Sequence, residues 1–301
     1  MDTLESMRVF TRVVERRSFT LAAQDLGLPR STVTEAIKHI EKRLGVRLLQ
    51  RTTRHVGATL DGEAYYRRCL AIIADIEDAE AAFSGVKPHG LLKIDVHGTL
   101  MRHFVLPALP DFLSAYPDIT LHMGEGDRLV DLVREGIDCV VRVGEPQDSA
   151  MIGRRIALLD DVTCASPDYL ARHGTPATPD DLSAHRMIGF VSSSTGNYFP
   201  LEFTVGGKLR HMTIPVAISV TGAETYVALA KLGLGLLQVP RYHVAADLAS
   251  GALREILSDC PPSPSPVFVL YPQSRQLSPR VRVFIDWLSQ AFATRVKAMP
   301  S

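Results

Sequence analysis

Between residues 30 and 54 the chain reads RSTVTEAIKHIEKRLGVRLLQRTTR, in which lysines and arginines are interleaved with hydroxyls and apolar side chains. Cations separated by short hydroxyls suit a polyanion, because guanidinium and ammonium groups attract phosphate while hydroxyls donate to its oxygens. A helical projection at about 100° per residue divides the run into two faces. Val33, Ile37, Ile40 and Leu44 share one stripe, and Ser31, Thr34, Glu35, Lys38 and Lys42 share the other. Such a helix fits a groove of about 12 Å width. Arg30, at its start, is best placed to reach a guanine or a phosphate. Thr32 is counted with the polar set, and Glu35 would accept from a cytosine amino group. Beyond Gly45, VRLLQRTTRHVGATL is expected to form a short hairpin or wing anchored by Val46, Leu48 and Leu49. Arg51, Thr52, Thr53 and Arg54 would then lie along a backbone or enter a narrow minor groove.

These residues need a frame to hold them. Met7, Phe10, Val13 and Val14 recur at helical spacing, and Ser18 stands as a cap before TLAAQDLG. Gly27 is expected as a left-handed stop, and Leu28-Pro29 opens the next element. Helix, turn, helix and wing follow one another within sixty residues. Charge agrees: residues 1–60 carry eleven Lys/Arg against six Asp/Glu, whereas residues 61–301 carry twenty-two against twenty-seven. The formal net charge of zero therefore hides one basic end on a mildly acidic remainder.

The ordering SFTLAAQDLGLPRSTVTEAIKHIEKRLGVRLLQRTTR followed by TLDGEAYYRRC resembles the N-terminal domain of LysR-type transcriptional regulators. RTTR and the pattern Tyr65-x-x-Arg68-Cys69 resemble one large subgroup of that family. The likeness runs through about residues 4–84. It implies that Arg30, Ser31, Thr34, Glu35 and Lys38 face bases and phosphates and that Arg51 and Arg54 make wing contacts. Glu35 departs from the pattern, standing where many members carry a basic residue.

From Asp61 to Phe83 a single helix is expected, with Tyr65, Cys69, Ile72, Ile76, Ala79 and Phe83 spaced four, three, four, three, four. That is a heptad seam, read either as a two-helix dimer contact or as a stripe packed on its own domain. Dimerisation is favoured because a twofold pair of winged helices reads two half-sites about one helical turn apart. The family resemblance implies a homodimer through this helix, commonly paired again into a homotetramer.

GVKPHG, residues 85–90, marks the expected hinge. The domains are thus expected as 1–60 for DNA binding, 61–84 for the linker helix and 91–301 for an α/β effector domain. Beyond the hinge, strands such as LLKIDVHG, ITLHMGEG and IDCVVRVG alternate with helices, the βαβ rhythm of a parallel sheet. Two lobes are expected, lobe I from about 91–163 with 267–301 and lobe II from about 164–266, with crossings near 161–167 and at the proline cluster 261–266. The resemblance implies a fold similar to type 2 periplasmic solute-binding proteins, with a ligand cleft between lobes. Three loops would meet there: Gly98, Thr99, Leu100 and Met101; Ser192, Ser193 and Ser194; and Thr221 with Gly222. A small carboxylate is the simplest guest. Arg142 is read either as its counter-ion or as the partner of a structural acid, and the hydroxyls either as ligand donors or as helix caps.

Enzymatic readings fail on the motifs. GLGLL at 233–237 lacks the full phosphate fingerprint and runs helix to strand, and no G-x-S-x-G elbow or metal-ligand histidine spacing occurs. Neither a catalytic group, a metal nor a cofactor is expected. Alternatives on the same effector fold are a solute-binding protein and a peroxide sensor using Cys139 or Cys164. MDTLESMRVF lacks the pattern of an export signal, so a cytoplasmic regulator is expected, with operator DNA, a small effector and RNA polymerase as partners.

Overall fold

The computed structural model describes residues 1–51, 56–84, 87–126, 131–146, 151–193, 195–273 and 277–298. Thr52, Thr53, Arg54 and Ser194 lie outside them, as do the side chains of Arg51, Ala79 and Phe83. The chain divides into two units, Met1–Gly90 and Leu91–Ser301.

In the first unit, α1 (Thr3–Arg16), α2 (Phe19–Leu26) and α3 (Arg30–Leu44) pack around Phe10, Val13, Ala22, Val33, Ile37 and Ile40. Local chemistry sets each boundary. Asp2 and Glu5 form a reciprocal capping box on α1, and Ser18 Oγ accepts from Leu21 N at 3.3 Å to start α2. Gly27 and Gly45 close α2 and α3 in the left-handed region, at φ 64° and 73°, where a side chain would be strained. A two-stranded antiparallel wing follows, β1 (Leu49–Arg51) with β2 (Val56–Ala58), and then the 25-residue α4 (Leu60–Ser84).

The α3 core face holds three of its four expected members. Val33, Ile37 and Ile40 are buried together with Ala36, but Leu44 is 40% exposed. The chain reverses at Gly45 immediately after it, and Leu48 and Leu49 fill the core instead. Val46, expected as a wing anchor, is likewise exposed. Burying each aliphatic side chain of this face stabilises the unit by about 1.5–3 kcal/mol.

The second unit contains two sheet systems. One is five-stranded, in the order β4 (Ile119–Glu125), β3 (Gly90–Val96), β5 (Cys139–Val143), β14 (Ser265–Pro272), β6 (Met151–Leu159). β3 and β5 are parallel, whereas β14 runs antiparallel to both β5 and β6. The expected all-parallel rhythm is therefore corrected to a mixed sheet. β14 returns from the other lobe and enters the sheet in the opposite direction.

The second system has β7 (Asp161–Ala165) between β12 (Leu237–Pro240) and β13 (Arg254–Glu255), both antiparallel to it. β8 (Met187–Phe190) joins it through a bridge from Met187 to Leu236 and pairs in parallel with β11 (Val216–Val220). β9 (Leu201–Val205) and β10 (Lys208–Met212) form a hairpin. The chain passes between the systems twice, from Leu159 to Asp161 and between Glu255 and Ser265.

Helices complete the layers: α5 (Gly98–Leu100), a π-turn over Met101–Val105, α6 (Leu106–Ala115), α7 (Leu132–Glu135), α8 (Pro167–His173), α9 (Ala223–Lys231), α10 (Arg241–Ser250) and α11 (Pro279–Lys297). α11 docks Phe284, Leu288 and Phe292 on the first sheet's core, where Phe292 stacks on Phe104 at 4.1 Å.

Candidate functional site

The polar face of α3 is built by exclusion. With Val33, Ala36, Ile37 and Ile40 turned inward, Arg30, Ser31, Glu35 and Lys38 are exposed and Thr32 and Thr34 half-buried. Thr34 Oγ1 donates back to the Arg30 carbonyl at 3.0 Å, so its hydroxyl is held on the helix. Lys38 Nζ lies 2.8 Å from Glu35 Oε1, an exposed i,i+3 pair. Glu35 therefore offsets part of the cationic character of the face.

Glu41, which sequence reasoning missed, ties the wing to this helix. Its Oε1 accepts from Leu48 N at 2.8 Å and Leu49 N at 3.1 Å. Thr59 donates to the Arg47 carbonyl at 2.7 Å and accepts from Gly62 N at 2.9 Å, so one hydroxyl joins the wing to the start of α4. A side chain on Gly62 would collide with the Leu48 carbonyl. An acid one turn before a helix's glycine stop, followed by a short strand, is the signal that would have found Glu41.

The heptad stripe on α4 is corrected by burial. Cys69 is fully buried in the first unit's core, and Tyr65 packs on Phe10 with ring centroids 5.3 Å apart. Both face their own unit, because the N-terminal half of α4 covers α1. Ile72 is 39% exposed and Ile76 half-buried.

In the second unit a cavity of about 360 Å³ lies between the two sheet systems. His97, Thr99 and Gly144 approach it from one side, and Asp161, Phe190, Tyr226 and Gln238 from the other. Thr99 is buried, 2.6 Å from Tyr242 Oη and 2.9 Å from His97 Nδ1. Glu202 receives the Ser263 hydroxyl, and Asp161 Oδ2 receives Ser265 Oγ at 3.0 Å. Asp161 Oδ1 is buried with no hydrogen-bond partner. Desolvation, reinforced by Glu202 and Asp160, pushes the Asp161 carboxyl up to about 7. Gln238 holds the Glu202 backbone at both ends of its amide, accepting from Glu202 N and donating to Glu202 O, each at 2.7 Å.

Of the expected effector residues that the structure describes, only Thr99 lines this cavity. The helix after β3 begins at Gly98, so Leu100 and Met101 are buried in the core rather than displayed on a loop. Arg142 Nη2 pairs with the buried Asp95 at 2.5 Å and Nη1 donates to the Asp95 carbonyl at 3.2 Å. Its charge is met by a structural acid. Ser192 forms a tight turn, its Oγ accepting from Thr195 N at 3.3 Å, while Ser193, Thr221 and Gly222 are exposed away from the lining. Ala223 takes the place expected for the third loop.

Asp161, Glu202, Tyr226, Gln238 and Tyr242 were not singled out in the sequence, because they come from strands and helix starts scattered over some eighty residues. The hydroxyls of Ser263 and Ser265, set among the prolines of PPSPSP, were the available signal.

Cys139 and Cys164 are buried, and burial pushes both thiols up, Cys164 to about 12. That opposes thiolate reactivity and with it the peroxide-sensing alternative. No helix among the described residues is long and apolar enough to cross a membrane.

The chain matches two family models. Residues 4–63 match the bacterial regulatory helix-turn-helix protein, lysR family, and residues 86–293 match the LysR substrate binding domain. It is 37% identical to the HTH-type transcriptional repressor PA14_22550 of Pseudomonas aeruginosa (strain UCBPP-PA14), over 97% of this chain and 93% of that one. It is 35% identical to the HTH-type transcriptional regulator YhjC of Escherichia coli (strain K12), over 96% and 97%. Among solved structures it is similar to CrgA, a LysR-type transcriptional regulator from Neisseria meningitidis, with a TM-score of 0.60 and 29% identity, covering 97% of this chain and 99% of that one. With the winged unit and the two-sheet unit already in place, these matches carry one conclusion: the chain belongs to the LysR family of DNA-binding transcriptional regulators, which are not enzymes.

Proposed function

We propose that α3 enters the major groove of operator DNA, with Arg30, Ser31, Thr32, Thr34, Glu35 and Lys38 toward bases and phosphates and residues 51–54 on the adjoining backbone. Two copies pair through the exposed part of α4, around Ile72 and Ile76, and the dimer pairs again into a tetramer. Residues 91–301 form the effector-binding domain, and an effector in the cavity between its sheet systems sets transcriptional output in the cytoplasm, through altered DNA bend and polymerase access.

The observation that carries the DNA reading is the separation of faces on α3. Its apolar residues are consumed by the core, which leaves the polar set exposed on a helix whose wing is tied to it through Glu41. The effector reading rests on a cavity built from both sheet systems in a LysR substrate binding domain. A carboxylate effector is not carried forward. No lysine or arginine lines the cavity among the described residues, and Arg142 is occupied by Asp95.

A salt-dependent operator titration tests the interface. Arg30→Ala and Lys38→Ala should each weaken binding and reduce the salt slope by about one phosphate contact. Unchanged affinity in both variants would sink the assignment of this face.

A further inference from the structure

The cavity of the C-terminal unit carries charge of one sign. Asp161 and Glu202 are the acids of its wall, and no lysine or arginine among its described lining balances them; His211 Nδ1 reaches Glu202 Oε1 at 3.5 Å from outside that lining. Its two lining histidines are already engaged. Burial holds His243 toward its neutral form, with Nε2 3.5 Å from Glu224, and His97 Nδ1 is engaged with Thr99. The protein already provides hydroxyl donors, Ser265 to Asp161 Oδ2 and Ser263 to Glu202. What is missing is positive charge at Asp161 Oδ1, the buried oxygen without a partner.

A carboxylate taken from water beside a second carboxylate is unfavourable until a cation enters with it. Phe190, Phe199 and Tyr226 line the same space and offer apolar surface and ring faces, which favour an alkylammonium. An anionic guest would meet two like charges instead.

We propose that the effector is a small organic amine whose ammonium donates to Asp161 Oδ1 and Glu202 while its apolar body lies against Phe190, Phe199 and Tyr226. The proposal rests on the reading of this cavity as the effector site. Asp161 is faced by Glu202 and Asp160, which raise its pKa, and by the phenols of Tyr226 and Tyr242, which burial keeps protonated; His97 and His243 line the same space, the latter held toward its neutral form by burial, and His211 Nδ1 lies 3.5 Å from Glu202 Oε1. Amine binding to the ionised carboxylate therefore strengthens with pH as Asp161 ionises near 7.

The test uses the full chain, with phenethylamine, 3-phenylpropionate and 2-phenylethanol as probes of similar shape and different charge, read by calorimetry and thermal shift. Phenethylamine should bind at least about tenfold tighter than the other two, and about tenfold tighter at pH 8 than at pH 6. Asp161→Asn and Glu202→Gln should each weaken it by about tenfold or more, with unliganded melting temperatures establishing that both variants fold. No stabilisation by the amine, tighter binding of the carboxylate, or unchanged affinity in both folded variants would overturn the assignment.

An operator titration with each probe separates this proposal from the reading beneath it. If the amine binds through Asp161 but leaves operator affinity and footprint unchanged, the cation site stands and the effector role of the cavity fails. If 3-phenylpropionate alone shifts operator binding, the effector role stands and the cation assignment fails.

Discussion

Two acids decide charge at their sites, in opposite settings. Glu35 is exposed and holds Lys38 at 2.8 Å, so an ammonium on the face proposed for the groove is partly neutralised. Glu35→Gln should raise affinity for random-sequence DNA severalfold and alter preference at one operator position, as measured by competition binding across a panel of single-base variants; an unaltered preference would show that Glu35 reads no base. Asp161 is the buried counterpart. Its folded pKa of about 7 stands above its ordinary value of 3.8, so between these values the folded state holds a proton that the unfolded state has released. The stability this contributes is complete below pH 3.8, falls as pH rises toward 7 and is gone above it. The loss across that window should be about 2 kcal/mol, allowing for partial exposure, and Asp161→Asn should flatten the slope. The single tryptophan, Trp287, lies in α11, so its fluorescence during urea unfolding reports this unit selectively.

At the scale of elements, the wing segment meets α4 at Gly62 and α3 at Glu41. Gly62 packs against the Leu48 carbonyl so closely that no Cβ fits, and Gly62→Ala should destabilise the first unit by about 2–3 kcal/mol and displace the wing, seen as a lower circular-dichroism melt. Glu41→Ala leaves two backbone N–H groups without their acceptor, at a cost of about 1.5–3 kcal/mol, and should weaken operator binding as the wing loosens. An operator affinity equal to wild type in Glu41→Ala would refute the coupling of wing to helix. The faces of α3 were legible because the 3.6-residue period needs nothing outside the helix. Leu44 was not, because its fate depended on a reversal at Gly45 that brought Leu48 and Leu49 into the core. The same limit applied to the loop after β3: sequence marks the strand's end, but whether Gly98 to Met101 form loop or first helical turn depends on packing against Phe104 and α11.

For the whole molecule, the proposed assembly rests on the exposed portion of α4. Ile72→Asp and Ile76→Asp should reduce the dimer to monomers in sedimentation and weaken operator binding by about a hundredfold or more, since one winged unit then reads a single half-site. Cys69→Asp should behave differently, unfolding the first unit rather than dissociating it, because the thiol is fully buried there. A dimer that survives both isoleucine substitutions would place the assembly contact elsewhere.

Sequence by itself determined the class of the protein: the helix-turn-helix order, the basic end, the glycine stops and the α/β alternation are local signals, each carried within a few turns of chain. Crossings were expected near 161–167 and at 261–266, and the backbone passes between the sheet systems from Leu159 to Asp161 and between Glu255 and Ser265. Only the tertiary structure decided which charged groups are available. Asp95 claims Arg142, Cys69 turns inward, and β7, β9 and β12 bring Asp161, Glu202 and Gln238 to one cavity from positions far apart in the chain. Whether a charge is free, paired or stranded depends on burial and on partners at long range, and no local pattern encodes either.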